Sequence, residues 1–125
     1  ILTQMLKETA DIDGSGRLAE VPGYTVGGKT GTAKIAGIGG YQQRFNASFA
    51  GIAPIQDPKM VIIVRINEPT QPRLSRYGAL SAAPVFAKIA GESLRVLGIA
   101  PDRPMVNVQK FKALQLRREH LERLL

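Results

Sequence analysis

Lys29-Thr30-Gly31-Thr32 gathers a fixed cation, two hydroxyls and a side-chain-free position into four residues. Two chemistries fit them. In the first, Gly23-Tyr-Thr-Val-Gly-Gly28-Lys29-Thr30 satisfies the phosphate-loop pattern G-x-x-x-x-G-K-[ST] to the letter. Successive backbone N–H groups and a helix N-terminus would then cradle a nucleotide's phosphates. In the second, the residues lie on a strand at the border of a cleft. Lys29 then sets a positive charge beside a substrate carboxylate and a catalytic hydroxyl network. Thr30 and Thr32, two apart on a strand, point to one face, so both hydroxyls reach one ligand. Gly31 lets neighbouring structure approach closely. The Thr32 N–H, on an edge strand, is free to donate to a developing oxyanion.

The elements needed to position these residues separate the two chemistries. A phosphate loop requires a buried strand before it and a helix beginning at the lysine. Here the approach, Leu18-Ala-Glu-Val-Pro22, is weakly strand-like, and Gly31, Gly37, Gly39 and Gly40 oppose a helix. No strand ending in Asp follows to hold magnesium; Met60–Ile66 offers only Glu68, beyond its end. The strand reading needs a hairpin, and the Gly37–Gly40 run provides a turn. Tyr41–Ala53 is a strand with Phe45, Ala47 and Phe49 on one face and Arg44, Asn46 and Ser48 on the other. Met60–Ile66 is short, β-branched and apolar, which places it centrally in a sheet. Residues 1–10 read as the end of a helix, and Ser81–Gly98 as a second, with Pro84 in its first turn. Its expected apolar stripe is Val85, Ile89 and Leu94/Leu97, and Gly98 caps it. Residues 99–108 read as a linker, and 110–125 as a further helix with a Glu119–Arg123 pair. The fold class is therefore α+β, an antiparallel sheet with helices packed on it.

Composition removes whole classes of chemistry. The chain has 125 residues, no cysteine and one histidine, His120. Disulfides, thiol nucleophiles and cysteine- or histidine-rich metal sites are excluded, and no cofactor is called for. Asp11–Gly16 (DIDGSG) begins like a calcium loop, but its twelfth position is Pro22 where a bidentate Glu is needed, so it reads as a turn. The formal charge is +7, yet Lys110–Leu125 holds five basic and two acidic side chains, so the remainder is unexceptional. No aromatic residue interleaves with a dense basic run, which argues against a nucleic-acid partner. The strongly apolar run Met60–Val64 falls far short of the ~20 residues that span a bilayer. Tyr24, Phe45, Phe49 and Phe86 read as core, Lys34, Arg44 and Arg65 as solvated strand faces, and His120 as exposed without a role.

Several stretches together resemble one family. They are Gly14-Ser-Gly16, Val21-Pro-Gly-Tyr-Thr-Val26, Gly28-Lys-Thr-Gly-Thr-Ala33, Asn46-Ala-Ser-Phe-Ala-Gly-Ile-Ala-Pro54, Asp57–Pro69, Tyr77-Gly78 and Ala83-Pro-Val-Phe86. Their order resembles the K-T-G half of class B penicillin-binding proteins, closest to the division-type peptidoglycan D,D-transpeptidases, over residues 10–104. The resemblance implies residues 1–104 as the C-terminal portion of a transpeptidase domain and 105–125 as a basic tail, a candidate amphipathic helix. It implies catalytic roles for Lys29 and Thr32, and substrate binding by Thr30, Gly31, Thr32 and Tyr77. Arg76 and Ala79 depart from the aromatic and glycine more usual around that tyrosine.

The implied partners are the D-Ala-D-Ala end of a peptidoglycan stem peptide, β-lactams and membrane proteins of cell division. The implied location is the periplasmic face of the cytoplasmic membrane. One departure matters most: no S-x-x-K or S-x-N occurs. Ser15, Ser48, Ser75, Ser81 and Ser93 are followed three residues on by Leu18, Gly51, Gly78, Pro84 and Val96. The nucleophile and its lysine base are expected on upstream sequence in the remainder of the domain, and this segment alone is expected to be inert. A D,D-carboxypeptidase or serine β-lactamase on the same scaffold, a non-catalytic penicillin-recognising sensor, and a phosphate-loop nucleotide binder remain the alternatives.

Overall fold

In a computed structural model of the chain, residues 1–10, 16–70, 77–103 and 108–124 are described. The order of elements is α1 (Leu2–Ala10), a single 3-10 turn (Arg17–Ala19), β1 (Gly27–Gly37), β2 (Gly40–Ala53), β3 (Met60–Asn67), α2 (Ala82–Val96) and α3 (Val108–Arg123). The three strands form one antiparallel sheet in the order β1-β2-β3. The fold class is the expected α+β. The turn read at Asp11–Gly16 lies, apart from Gly16, outside the described residues, as do 71–76 and 104–107.

The β1–β2 hairpin turns through Ile38-Gly39, where Gly39 adopts φ +87°, a region only glycine enters without strain. Lys29 pairs with Ala50, Thr30 with Phe49 and Thr32 with Ala47, and a bulge interrupts the ladder between Lys34 and Ala36. β3 pairs only with Asn46–Ala53, so the hairpin projects beyond it as a two-stranded ribbon.

Among the described residues, the strand expected at the centre of the sheet is at its edge. β2 is central, and β3 alternates in exposure along its length, burying Val64 and leaving Val61 and Ile63 outward. Its β-branched run reads as buried on both sides, but only one side meets α2.

That buried side is the core. Phe49 and Phe86 are fully buried, their ring centroids 4.9 Å apart at 57°, with Val21, Tyr24, Val64, Ala90 and Leu94 around them. Gly51 makes this possible, since a Cβ there would lie 2.5 Å from the Phe86 ring. The phase of α2 therefore differs from the expected stripe. Ala83, Phe86, Ala90 and Leu94 face the sheet, while Val85, Ile89 and Leu97 are exposed. Two alanines allow the helix to sit close, and Phe86 and Leu94 fill the space between.

α2 ends through Gly98 at φ +65°. The segment that follows is no free linker up to Arg103. The Ile99 carbonyl accepts the Tyr24 hydroxyl, and the Arg103 N–H donates to the Gly23 carbonyl at 3.1 Å. α1 meets the other face of the sheet at Gly27, where a Cβ would come within 3.1 Å of the Leu6 backbone. α3 carries the expected Glu119–Arg123 pair and a second, Arg118–Glu122, at 2.9 Å. Leu116 and Leu124 on it are exposed.

Candidate active site

Lys29–Thr32 lies in the regular part of β1, an edge strand among the described residues. The residues after Lys29 continue as strand to Gly37, so the helix that a phosphate loop requires at its lysine does not form. The match to that pattern is a coincidence of glycine spacing.

Alternation along β1 sorts the four residues onto two faces. Thr30 and Thr32 lie opposite Phe49 and Ala47, on the face that α2 covers; Lys29 and Gly31 lie opposite Ala50 and Ser48, on the other. Lys29 is exposed, and its Nζ donates to the Thr30 carbonyl at 3.1 Å. Thr32 is exposed at its strand position and Thr30 half-buried.

The loop entering α2 closes on this strand. Thr32 Oγ1 accepts the Gly78 N–H at 3.4 Å. The Gly78 carbonyl in turn accepts the N–H groups of Ala82 and Ala83, at 3.0 and 2.8 Å, which fixes the first turn of α2 over the same edge. The approach tolerates no side chain. A Cβ on Gly78 would lie 2.0 Å from the Ser48 carbonyl oxygen and 2.8 Å from that of Gly31. Gly31 is under a similar constraint, since its Cβ would meet Ser48 Oγ at 2.6 Å. Tyr77 precedes Gly78, is 41% exposed, and has its carbonyl tied to the Leu80 and Ser81 N–H groups. The structure thus gathers Lys29, Thr30, Gly31 and Thr32 on one strand edge and brings the Tyr77-Gly78 backbone against Thr32.

Sequence reasoning passed over two contributors. Ser48, read as part of a polar strand face, donates its hydroxyl to the Gly31 carbonyl at 3.4 Å. Thr25, two residues before β1, is buried and bonded to Asp102. The chain separation of 77 residues leaves no local spacing that marks the second pair. A groove of about 540 Å3 between the 3-10 turn, α2 and α3, lined by Leu18, Val21 and Tyr24 among others, holds none of Lys29, Thr30, Gly31, Thr32 and Tyr77. Among the described residues no group of three His, Cys, Asp or Glu side chains is placed to hold a metal ion.

Comparison with known proteins shows what the chain is similar to. The family described as penicillin binding protein transpeptidase domain matches residues 1–91. The probable peptidoglycan D,D-transpeptidase PbpC of Pseudomonas aeruginosa is 43% identical over 103 residues, covering 82% of this chain and 17% of that protein. The peptidoglycan D,D-transpeptidase FtsI of Escherichia coli (strain K12) is 38% identical over 102 residues, covering 81% and 17%. Among solved structures, the apo transpeptidase domain of Burkholderia pseudomallei penicillin-binding protein 3 superposes with a TM-score of 0.74 at 38% identity, over 82% of this chain and 31% of that one. The chain spans about a sixth of the length of these curated relatives.

Proposed function

The chain belongs to the penicillin-binding protein transpeptidase domain family, and from that premise we propose that it supplies the substrate-gripping edge of a serine-type peptidoglycan D,D-transpeptidase. In this reading Lys29 holds positive charge beside the nucleophile's hydroxyl network. The Thr30 and Thr32 hydroxyls bind the terminal carboxylate of D-Ala-D-Ala, two donors on one strand face meeting two carboxylate oxygens. Gly31 leaves room for that approach, the Thr32 N–H donates to the oxyanion, and Tyr77 lines the cleft.

The remainder of the domain, with its S-x-x-K and S-x-N motifs, supplies the serine. The serine oxygen attacks the penultimate D-Ala carbonyl carbon, the peptide bond breaks, and the terminal D-Ala leaves with a proton on its nitrogen. An amine of a neighbouring stem peptide then displaces the serine and forms the cross-link. A β-lactam enters the same acylation, its ring amide opening on the serine. Residues 1–104 form part of that domain, and 105–125 a basic tail.

The observation that carries the reading is the meeting of Thr32 with Gly78 on a strand that is at the sheet edge among the described residues, beside Thr30 on the same face. Similarity to the Escherichia coli FtsI protein supports a role in septal cross-linking, with division proteins as partners and the periplasmic face of the cytoplasmic membrane as the location. No described helix is long and apolar enough to cross a membrane, so this reading places the anchor on another part of the protein.

Intact-mass spectrometry of the complete enzyme after β-lactam exposure tests the proposal. One adduct equivalent on a serine outside this segment, weakened by Lys29→Ala, is expected. A folded enzyme that takes no adduct overturns it.

A further inference from the structure

The chain on either side of α2 ties to β1 and its approach at two places, and the second tie has no part in the chemistry described above. At one end of α2, Gly78 meets Thr32. At the other, Gly98 turns the chain so that residues 99–103 run back beside residues 20–25. There Asp102 grips Thr25 with both carboxylate oxygens: Oδ1 accepts the Thr25 N–H at 2.7 Å, and Oδ2 accepts the Thr25 hydroxyl. Thr25 is buried, 5% exposed, and its remaining capacity is used as well. Its carbonyl and its Oγ1 both accept the Ile55 N–H, at 2.9 and 3.1 Å. Around this grip, Arg103 binds the Gly23 carbonyl through its N–H, and its guanidinium lies 3.3 Å from Glu20.

We propose that Asp102 is a positioning residue for the acylation, holding Thr25 so that β1 enters the sheet at the height and twist that set Lys29 and Thr32 at its edge. This rests on the transpeptidase reading above. Thr25 is four residues before Lys29 and two before the start of β1, so a displacement of Thr25 is passed along the backbone into that strand. The bonds to a carboxylate are charge-assisted and two-pronged, so they fix orientation as well as distance. An error of about 1 Å in the placement of reacting groups costs roughly a hundredfold in rate. Between Thr25 and Lys29, Gly27 and Gly28 are buried against Ile55 and Phe49, so a shift at Thr25 is carried into that packing and on to Lys29.

The test is the acylation of the complete enzyme by a fluorescent penicillin, with the covalent rate constant separated from the non-covalent dissociation constant. Active sites are counted by the final amplitude, so that unfolded protein does not enter the rate. Asp102→Ala is expected to lower the acylation rate constant by roughly tenfold or more per competent site. Thr25→Val is expected to do the same, Thr25→Ser to acylate at the wild-type rate, and the Asp102→Ala/Thr25→Val pair to be no slower than either alone. Arg103→Ala, which breaks only the Glu20 pair, is expected to lower thermal stability without slowing acylation.

A merely structural role predicts wild-type rates in every folded variant, and that result overturns the inference. If Asp102→Ala does not fold, Thr25→Val and Thr25→Ser decide alone, since they differ at the hydroxyl that Asp102 holds; equal rates overturn the inference. A wild-type enzyme that is not acylated overturns the transpeptidase reading and this inference with it, whereas acylation of the wild type with unchanged rates in the variants overturns this inference alone.

Discussion

At the scale of single residues, the candidate site depends on positions where a side chain is missing. Gly78 is the sharpest case. The 2.0 Å separation between its missing Cβ and the Ser48 carbonyl oxygen is far inside contact, and both neighbours are backbone atoms that cannot rotate away. Gly78→Ala must therefore push the entry of α2 off β1, carrying the Gly78 N–H away from Thr32 Oγ1. The expected outcome is a loss of stability of about 1–3 kcal/mol and a fall in penicillin acylation beyond what the folded fraction accounts for. Gly39→Ala is the contrast. It sits at φ +87° with nothing within 4 Å, so it costs about 1–2 kcal/mol of backbone strain and leaves acylation per folded molecule intact. Equal acylation by the two variants would sink the idea that Gly78 shapes the site. The different legibility of these residues follows from chain distance. Lys29–Thr32 is contiguous, and alternation on a strand sorts its faces without any tertiary knowledge. Gly78 matters because of Ser48, and Thr25 because of Asp102, and neither pair shares an element.

At the scale of elements, the positions of the hairpin, β3 and α2 along the chain were readable, whereas their partners were not. Turn glycines and a β-branched run mark where strands begin and end. They do not say which strand is central, because Val61 and Ile63 are as apolar as Val64, and only the seating of α2 decides which is buried. The same holds for the helix. Val85 and Ile89 offer a better hydrophobic stripe than Ala83 and Ala90, yet close packing on Phe49 selects the face with small residues. Two substitutions on α2 follow from that packing. Phe86→Ala empties the contact with Phe49 over Gly51 and is expected to cost about 3–5 kcal/mol, loosening the helix between the Gly78 and Asp102 ties. Gly91→Ala is expected to stabilise by about 0.5–1 kcal/mol. It removes a glycine from a helix interior, and its Cβ would rest at an ordinary 3.4 Å from Val21 Cγ1. Thermal unfolding of the complete enzyme reads both, and a destabilised Gly91→Ala would mean that α2 and Val21 lie closer than described.

At the scale of the whole molecule, two apolar surfaces face outward on opposite sides. One is the side of β3 turned away from α2, with Val61 67% and Ile63 73% exposed; the other is the outer side of α2, with Val85, Ile89 and Val96. Full burial of one such side chain gains about 1.5–3 kcal/mol, so pairing either surface is favourable. The formal charge of +7 works against this when two copies meet. Salt should shift the balance, since the Debye length falls from ~30 Å at 0.01 M to ~3 Å at 1 M and hydrophobic burial is not screened. The 125-residue chain by itself is therefore expected to self-associate, more strongly at high salt. Sedimentation velocity across a concentration series checks this. The Val61→Thr/Ile63→Thr pair removes apolar surface from the exposed side of β3 without touching the α2 interface. If it abolishes association, the sheet face is the seat. If it leaves association unchanged while Val85→Thr/Ile89→Thr abolishes it, the outer side of α2 is. A clean monomer at high concentration and high salt would show that neither surface is adhesive, and that the alternation along β3 is already satisfied by water.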